Sequence, residues 1–218
     1  MKRRNSLQPA LIQPLPEGVT LLRNMLDRKI QERLRDAARN IAFEAPLYTP
    51  TMRGGTEFNL SITSCGNLGW TSDHEGYRYI PHHPTTKKAW PTMPSIIHDI
   101  AHEAAEAAGF SQYSPQTCLI NYYRAGHGRL GMHQDKTERD HTSPIVTISL
   151  GDTAIFAVGG LYANSPAEHF PLHSGDVLVM GGAGRMLFHE VKEVVANTSD
   201  LLRGGGRISL TLRRVTIE

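Results

Sequence analysis

The chain has 218 residues, 39% hydrophobic and 20% charged, which is ordinary globular usage and enough for one domain with a well-buried core. Lys and Arg number 23 against 21 Asp and Glu, so the net charge of +2 permits a nucleic-acid partner without arguing for one. Two cysteines, Cys65 and Cys118, and no apolar run of signal-peptide or membrane-spanning length exclude a disulfide scaffold and a membrane helix, so a cytoplasmic home is expected.

Residues 1–16 are polar and interrupted by Pro9, Pro14 and Pro16, and read as a flexible arm before a single domain over 17–218. Asp27 is placed to cap a helix to about residue 42, with Ile30, Leu34, Ala37, Ala38 and Ile41 forming an apolar stripe at helical spacing. The region 48–92 is rich in Gly, Pro, Tyr and His and shows no long helical pattern. A second helix is expected from about 94 to 108, packing through Ile96, Ile97, Ile100, Ala101, Ala104 and Ala108, with Gly109 beyond its end. His98 and His102 on it read as surface histidines, since no further ligand pattern accompanies them. The cysteines read as small buried apolar residues, because no nucleophile arrangement surrounds them.

From about residue 116 the pattern changes to short β-rich runs between Gly, Pro and Asn turns: 117–123, 144–150, 154–158, 169–172, 176–180, 186–190 and 206–215. Many short strands at this spacing point to a sandwich or jelly roll, a mainly β fold with two helices.

The chemistry is carried by Leu130-Gly-Met-His-Gln-Asp-Lys136 and, further on, Arg185-Met-Leu-Phe-His189. Residues two apart on a strand share a side, so His133 and Asp135 are expected to reach one metal while Gln134 points away, with His189 arriving from another strand. Two His and one carboxylate hold Fe(II) on three positions and leave the others open, as oxygen chemistry requires. With 11 His in the chain, a bare His-x-Asp is weak by itself.

The run Arg207-Ile-Ser-Leu-Thr-Leu-Arg213 adds weight. Its alternation puts Arg207, Ser209, Thr211 and Arg213 on one face and Ile208, Leu210 and Leu212 on the other. Alone it could be a half-exposed strand with a solvated basic face; beside an iron site, two Arg suit the two carboxylates of a 2-oxo acid. Asn121 and Tyr123, again two apart, add polar groups on a strand entering the His133 loop.

With Cys65-Gly-Asn-Leu-Gly-Trp70, Gly76-Tyr-Arg-Tyr79, Cys118-Leu-Ile-Asn-Tyr-Tyr123, His133-Gln-Asp-Lys136, Pro144-Ile-Val-Thr-Ile-Ser-Leu-Gly151, Ala154-Ile-Phe156, Gly175-Asp-Val177 and the Arg207 run, the chain resembles the AlkB family of Fe(II)/2-oxoglutarate-dependent dealkylases over about 17–215. The resemblance implies a double-stranded β-helix jelly roll (α+β), with the two helices on one sheet and a nucleotide-recognition lid in 48–92. It implies Fe(II) on His133, Asp135 and His189; 2-oxoglutarate on Asn121, Tyr122, Tyr123, Arg207, Ser209 and Arg213; and O2 as the other co-substrate. Substrate contacts fall to Trp70, Tyr77, Arg78, Tyr79, Arg129 and Thr137, with a flipped base between Trp70 and His133. The implied reaction is oxidative demethylation of N-alkylated bases of the 1-methyladenine or 3-methylcytosine type in single-stranded DNA, with RNA as a further substrate, by a monomer.

Three positions depart from the family pattern. Thr137, followed by Glu138, stands where an acid associated with the base's exocyclic amine is found. Gly160-Leu-Tyr-Ala163 lacks the basic residue that follows the Gly-Gly-Leu turn, and Ser209 replaces an Asn, keeping a hydrogen-bonding group with shorter reach.

Overall fold

The computed structural model describes residues 15–216; most of the proposed N-terminal arm lies outside the described residues. Asp27 caps the first helix, α1 (Arg28–Glu44), its carboxylate accepting from the Ile30 amide at 2.8 Å. Leu34, Ala38 and Ile41 are buried on one side, as the stripe predicts. The second helix, α2 (Ser95–Ala107), ends before Gly109, whose φ of +91° suits glycine. Ala105 is fully buried and Ala108 only partly, so the packed face is rotated slightly from the expected one.

Among the described residues, twelve strands make three sheets. The first four are β1 (Val19–Leu22), β2 (Ser61–Gly66), β3 (Gly69–Asp73) and β4 (Gly76–Ile80). After α2 come β5 (Thr117–Tyr123), β6 (Leu130–His133), β7 (Ile145–Gly151) and β8 (Thr153–Val158). The last are β9 (Glu168–Leu172), β10 (Val177–Met180), β11 (His189–Val195) and β12 (Arg207–Arg213). A six-stranded sheet runs β1-β10-β7-β12-β5-β2, a four-stranded sheet β6-β11-β8-β9, and β3 and β4 form a separate hairpin.

The two large sheets face each other as a jelly roll. Between them lies one apolar cluster, including Ile62, Leu119, Phe156, Leu172 and Val191. The other lies between the six-stranded sheet and the helices, where Leu34, Ile97 and Ala101 meet Ile148, Leu210 and Leu212. Strand alternation therefore sends the apolar half of β12 to the helices and its polar half between the sheets. Both halves are buried, so the alternative of a solvated basic face does not hold. Cys65 and Cys118 are cross-strand partners, free and buried, the second thiol pushed up by burial.

Three readings need correction. The run expected at 186–190 is a strand only from His189 onward and extends to Val195, because a bulge between Val191 and Glu193 leaves Lys192 and Glu193 both exposed and breaks the alternation. Strands β1 to β4 are additional, and the strand expected at His133 is β6, ending at that residue; β2, within the 48–92 stretch, forms an edge of the six-stranded sheet. Asp135 lies past the end of β6, so its position depends on loop contacts rather than on strand alternation.

Candidate metal centre and substrate cavity

His133 closes β6 and is paired in register with His189, which opens β11. The His133 Nδ1 sits 2.8 Å from the Gly131 carbonyl and the His189 Nδ1 3.0 Å from that of Leu187. A carbonyl only accepts, so each Nδ1 carries the proton and each Nε2 presents a lone pair. Those nitrogens lie 3.7 Å and 4.0 Å from the two carboxylate oxygens of Asp135. One ligand atom from each of the three residues falls within 4.8 Å of the others, the one such cluster among the described residues.

Electrostatics keep His189 and Asp135 in ligating form. Burial lowers the His189 pKa to about 4, with His133 adding to the shift and Asp135 opposing it, so the ring is neutral at pH 7. Burial would raise the Asp135 carboxyl, but Arg213, His189 and His133 outweigh it and hold the group well below the usual carboxylate range. Arg213 Nε and Nη2 donate to Asp135 Oδ2 at 3.0 and 2.6 Å, and Arg185 Nη1 donates to the Asp135 main-chain carbonyl at 2.6 Å. Gln134 turns away and donates to the Met186 carbonyl at 2.7 Å.

Beside this cluster, β12 and β5 pair so that Arg207 lies opposite Tyr123 and Ser209 opposite Asn121. The Arg207 guanidinium stands 5.3 Å from the Tyr123 ring centroid and donates once, to Ser149 Oγ at 3.0 Å. Its Nε and Nη1, and Nη1 of Arg213, are buried with no hydrogen-bond partner among the described residues. Burying donors on a cation without acceptors is costly, and two such guanidiniums facing a common cavity fit an anionic dicarboxylate such as 2-oxoglutarate.

The cavity, about 770 Å³, is walled by the three clustered residues, by Asn121, Tyr123, Arg207, Ser209 and Arg213, and on its outer side by Trp70, Tyr77, Arg129 and Thr137. Trp70 stacks on Tyr77 at 5.6 Å between centroids and 27° between planes, and Phe58 meets Trp70 edge-on at 6.2 Å. Tyr77 is 57% exposed, so the stack offers an accessible aromatic wall.

Three of the expected residues are not among those lining the cavity. Tyr122 sits between Asn121 and Tyr123 on β5 and takes the opposite face. Arg78 sits likewise between Tyr77 and Tyr79 and pairs with both carboxylate oxygens of Asp73 at 2.6 and 2.7 Å; that contact holds the Asp73 carboxyl at about 2. Tyr79 reaches inward and donates its hydroxyl to Glu138. Residues that sequence reasoning missed include Glu138, buried on the cavity wall, Arg185, buried and hydrogen-bonded to the Asp135 main chain, and Phe58, whose single aromatic ring in a loop carries no periodic signal.

The profile of the 2OG-Fe(II) oxygenase superfamily matches residues 18–213. Alpha-ketoglutarate-dependent dioxygenase AlkB of Escherichia coli (strain K12) is 40% identical over 184 residues, 84% of each chain. The AlkB homolog of Caulobacter vibrioides (strain NA1000 / CB15N) is 40% identical over 197 residues, 90% of this chain and 87% of that one. Among solved structures, that of OsALKBH1 superposes with a TM-score of 0.78 at 30% identity, covering 93% of this chain and all of the other. Likeness at this level over nearly the whole described length agrees with the donor set and the paired guanidiniums: the chain belongs to the AlkB family of 2OG-Fe(II) oxygenases, oxidoreductases that use Fe(II), 2-oxoglutarate and O2.

Proposed function

We propose that the protein removes N-methyl groups from alkylated bases of the 1-methyladenine or 3-methylcytosine type in single-stranded DNA, releasing formaldehyde and restoring the base. The observation that carries this reading is the Trp70–Tyr77 stack on the wall of the cavity that also holds His133. An N-methylated base that carries positive charge gains from an electron-rich aromatic face, and it must leave its own stack to reach a metal. His133, Asp135 and His189 would hold the iron. Arg207, with Tyr123, would take the far carboxylate of 2-oxoglutarate; Arg213, Asn121 and Ser209 would orient its near end.

Bound iron, with 2-oxoglutarate and O2, supplies the oxidation of the methyl carbon. The protein's part is to hold the base, exclude water and keep His189 neutral; the hydroxymethyl adduct then loses formaldehyde because the neutral base is a good leaving group. Arg129, exposed and lining the cavity, would meet a backbone phosphate. The domain over 17–218 would act as a monomer in the cytoplasm, a setting that suits two free cysteines.

The direct test is formaldehyde release from methylated single-stranded DNA with and without 2-oxoglutarate, run beside matched RNA and unmethylated strands. Release that requires both the methyl group and 2-oxoglutarate supports the reading. Succinate formation without formaldehyde from any methylated strand would replace it with a hydroxylase acting on another substrate class.

A further inference from the structure

Beside the clustered donors, with Glu138 itself on the cavity wall, lies a buried polar assembly that the reaction itself does not call for. The side chain of Glu138 is 2% exposed and both of its oxygens are engaged. Oε2 accepts from Arg185 Nη2 at 3.1 Å, while Oε1 accepts from the Tyr79 hydroxyl and stands 3.4 Å from Arg213 Nε. Arg185, 2% exposed, gathers the surrounding backbone by donating to the carbonyls of Asp135 and Ser143.

Tyr79 belongs to the separate β3–β4 hairpin, where it is the cross-strand partner of Trp70. A continuous path therefore runs from the aromatic wall through Trp70 and Tyr79 to Glu138, then Arg213, and ends on the Asp135 carboxylate. Each link is a hydrogen bond, an ion pair or a strand pairing within a buried region, where such contacts are directional and costly to leave unmade. Among the described strands, β3 and β4 pair only with each other, so the hairpin takes its placement from side-chain and loop contacts of this kind.

We propose that the Tyr79–Glu138 hydrogen bond is a strut that couples the β3–β4 hairpin to the Asp135 arm of the metal centre, so that filling the metal site tightens the wall that receives the substrate. Tyr79 and Glu138 are positioning residues: neither lies among the three clustered donors, and both act through Arg213. Glu138, with both oxygens engaged, is a fastener rather than a reader of the substrate. The inference rests on the metal assignment proposed above but needs no particular nucleic acid.

The test is hydrogen exchange on the full chain, without and with Mn(II) plus 2-oxoglutarate under anaerobic conditions, for the natural protein and Tyr79→Phe. In the natural protein, loading should slow exchange at β6 and β11 and also across β3–β4. In Tyr79→Phe the slowing at β6 and β11 should persist while that at β3–β4 falls by about tenfold, the scale of one lost hydrogen bond to a charged group. A generally loosened fold would instead raise exchange everywhere, with and without metal. Equal slowing of the hairpin in both proteins would overturn the strut and leave the metal site standing. No response at β6 and β11 in the natural protein would overturn both. Glu138→Gln, which keeps an acceptor for Tyr79 but loses the charge facing Arg213 and Arg185, should show an intermediate hairpin response; a fully natural response would also count against the strut.

Discussion

His133 and His189 face each other across the β6–β11 ladder with ring centroids 4.4 Å apart, one ending its strand and the other beginning its own. Two of the three donors are thus brought together by sheet pairing, and metal binding is linked to the closure of that sheet. Saturating Mn(II) should stabilise the natural protein by about 2 to 3 kcal/mol at a hundredfold excess over its dissociation constant. His189→Ala should reduce that gain to less than about 1 kcal/mol while leaving the far-ultraviolet circular dichroism unchanged. Thermal melts with and without metal decide the matter, and an undiminished shift in the variant would remove His189 from the ligand set.

Arg207 is a buried cation whose Nε and Nη1 find no acceptor among the described residues, and burial pulls its pKa down, opposed by Tyr123. Such a group costs stability until an anion arrives. Arg207→Met should therefore raise the stability of the ligand-free protein by about 1 kcal/mol, since it trades an under-satisfied charge for apolar volume of similar length. The same change should weaken 2-oxoglutarate by about a hundredfold or more, the scale of losing a charge-assisted pair. Calorimetric titration beside a melt checks both; a ligand-free variant less stable than the natural protein would show that the Ser149 and Tyr123 contacts outweigh the burial cost.

Much of this site was readable from strand arithmetic, and its failures are equally arithmetic. Strict alternation in 207–213 placed both arginines on one face, and the same period of two excludes Arg78 and Tyr122 from the faces of the neighbours they were grouped with. The motif match outran the periodicity there. Strand β11 was misplaced because a bulge at Lys192 and Glu193 interrupts the pattern that would have announced it. Glu138 and Arg185 were illegible for another reason: they are 47 residues apart, and only the folded chain makes a buried ion pair of two residues that look like ordinary surface charges.

Trp70 lines the cavity and packs on Tyr77 and Phe58. Trp70→Ala should raise the KM for a methylated oligonucleotide by about ten- to a hundredfold, the worth of one base–aromatic stack. Affinity for 2-oxoglutarate should stay within about twofold, because the cofactor's proposed contacts lie on β5 and β12. Steady-state kinetics with each substrate varied in turn separate the two. A variant with an unchanged oligonucleotide KM would mean that the base is held elsewhere.

Burial of His189 also sets how the fold responds to acid. His189 has a pKa of about 4 in the folded protein against 6.5 for the free side chain. Between these values the unfolded chain takes up a proton that the folded chain refuses, so stability of the metal-free protein should fall as pH drops from 6.5 towards 4 and then level off for this group. The full loss is about 3 kcal/mol by linkage. Asp140, whose carboxyl is held at about 2 against the upward push of burial by hydrogen bonds from Ser143 and Thr142, acts in a separate window: its contribution is intact above 3.8 and is lost as pH falls towards 2. Urea unfolding of the metal-free protein at pH 7, 5.5 and 4.5 should therefore show a steep decline that His189→Asn flattens. If both proteins lose stability in parallel over that range, the decline belongs to other groups, and the neutrality of His189 at pH 7 is not imposed by its burial.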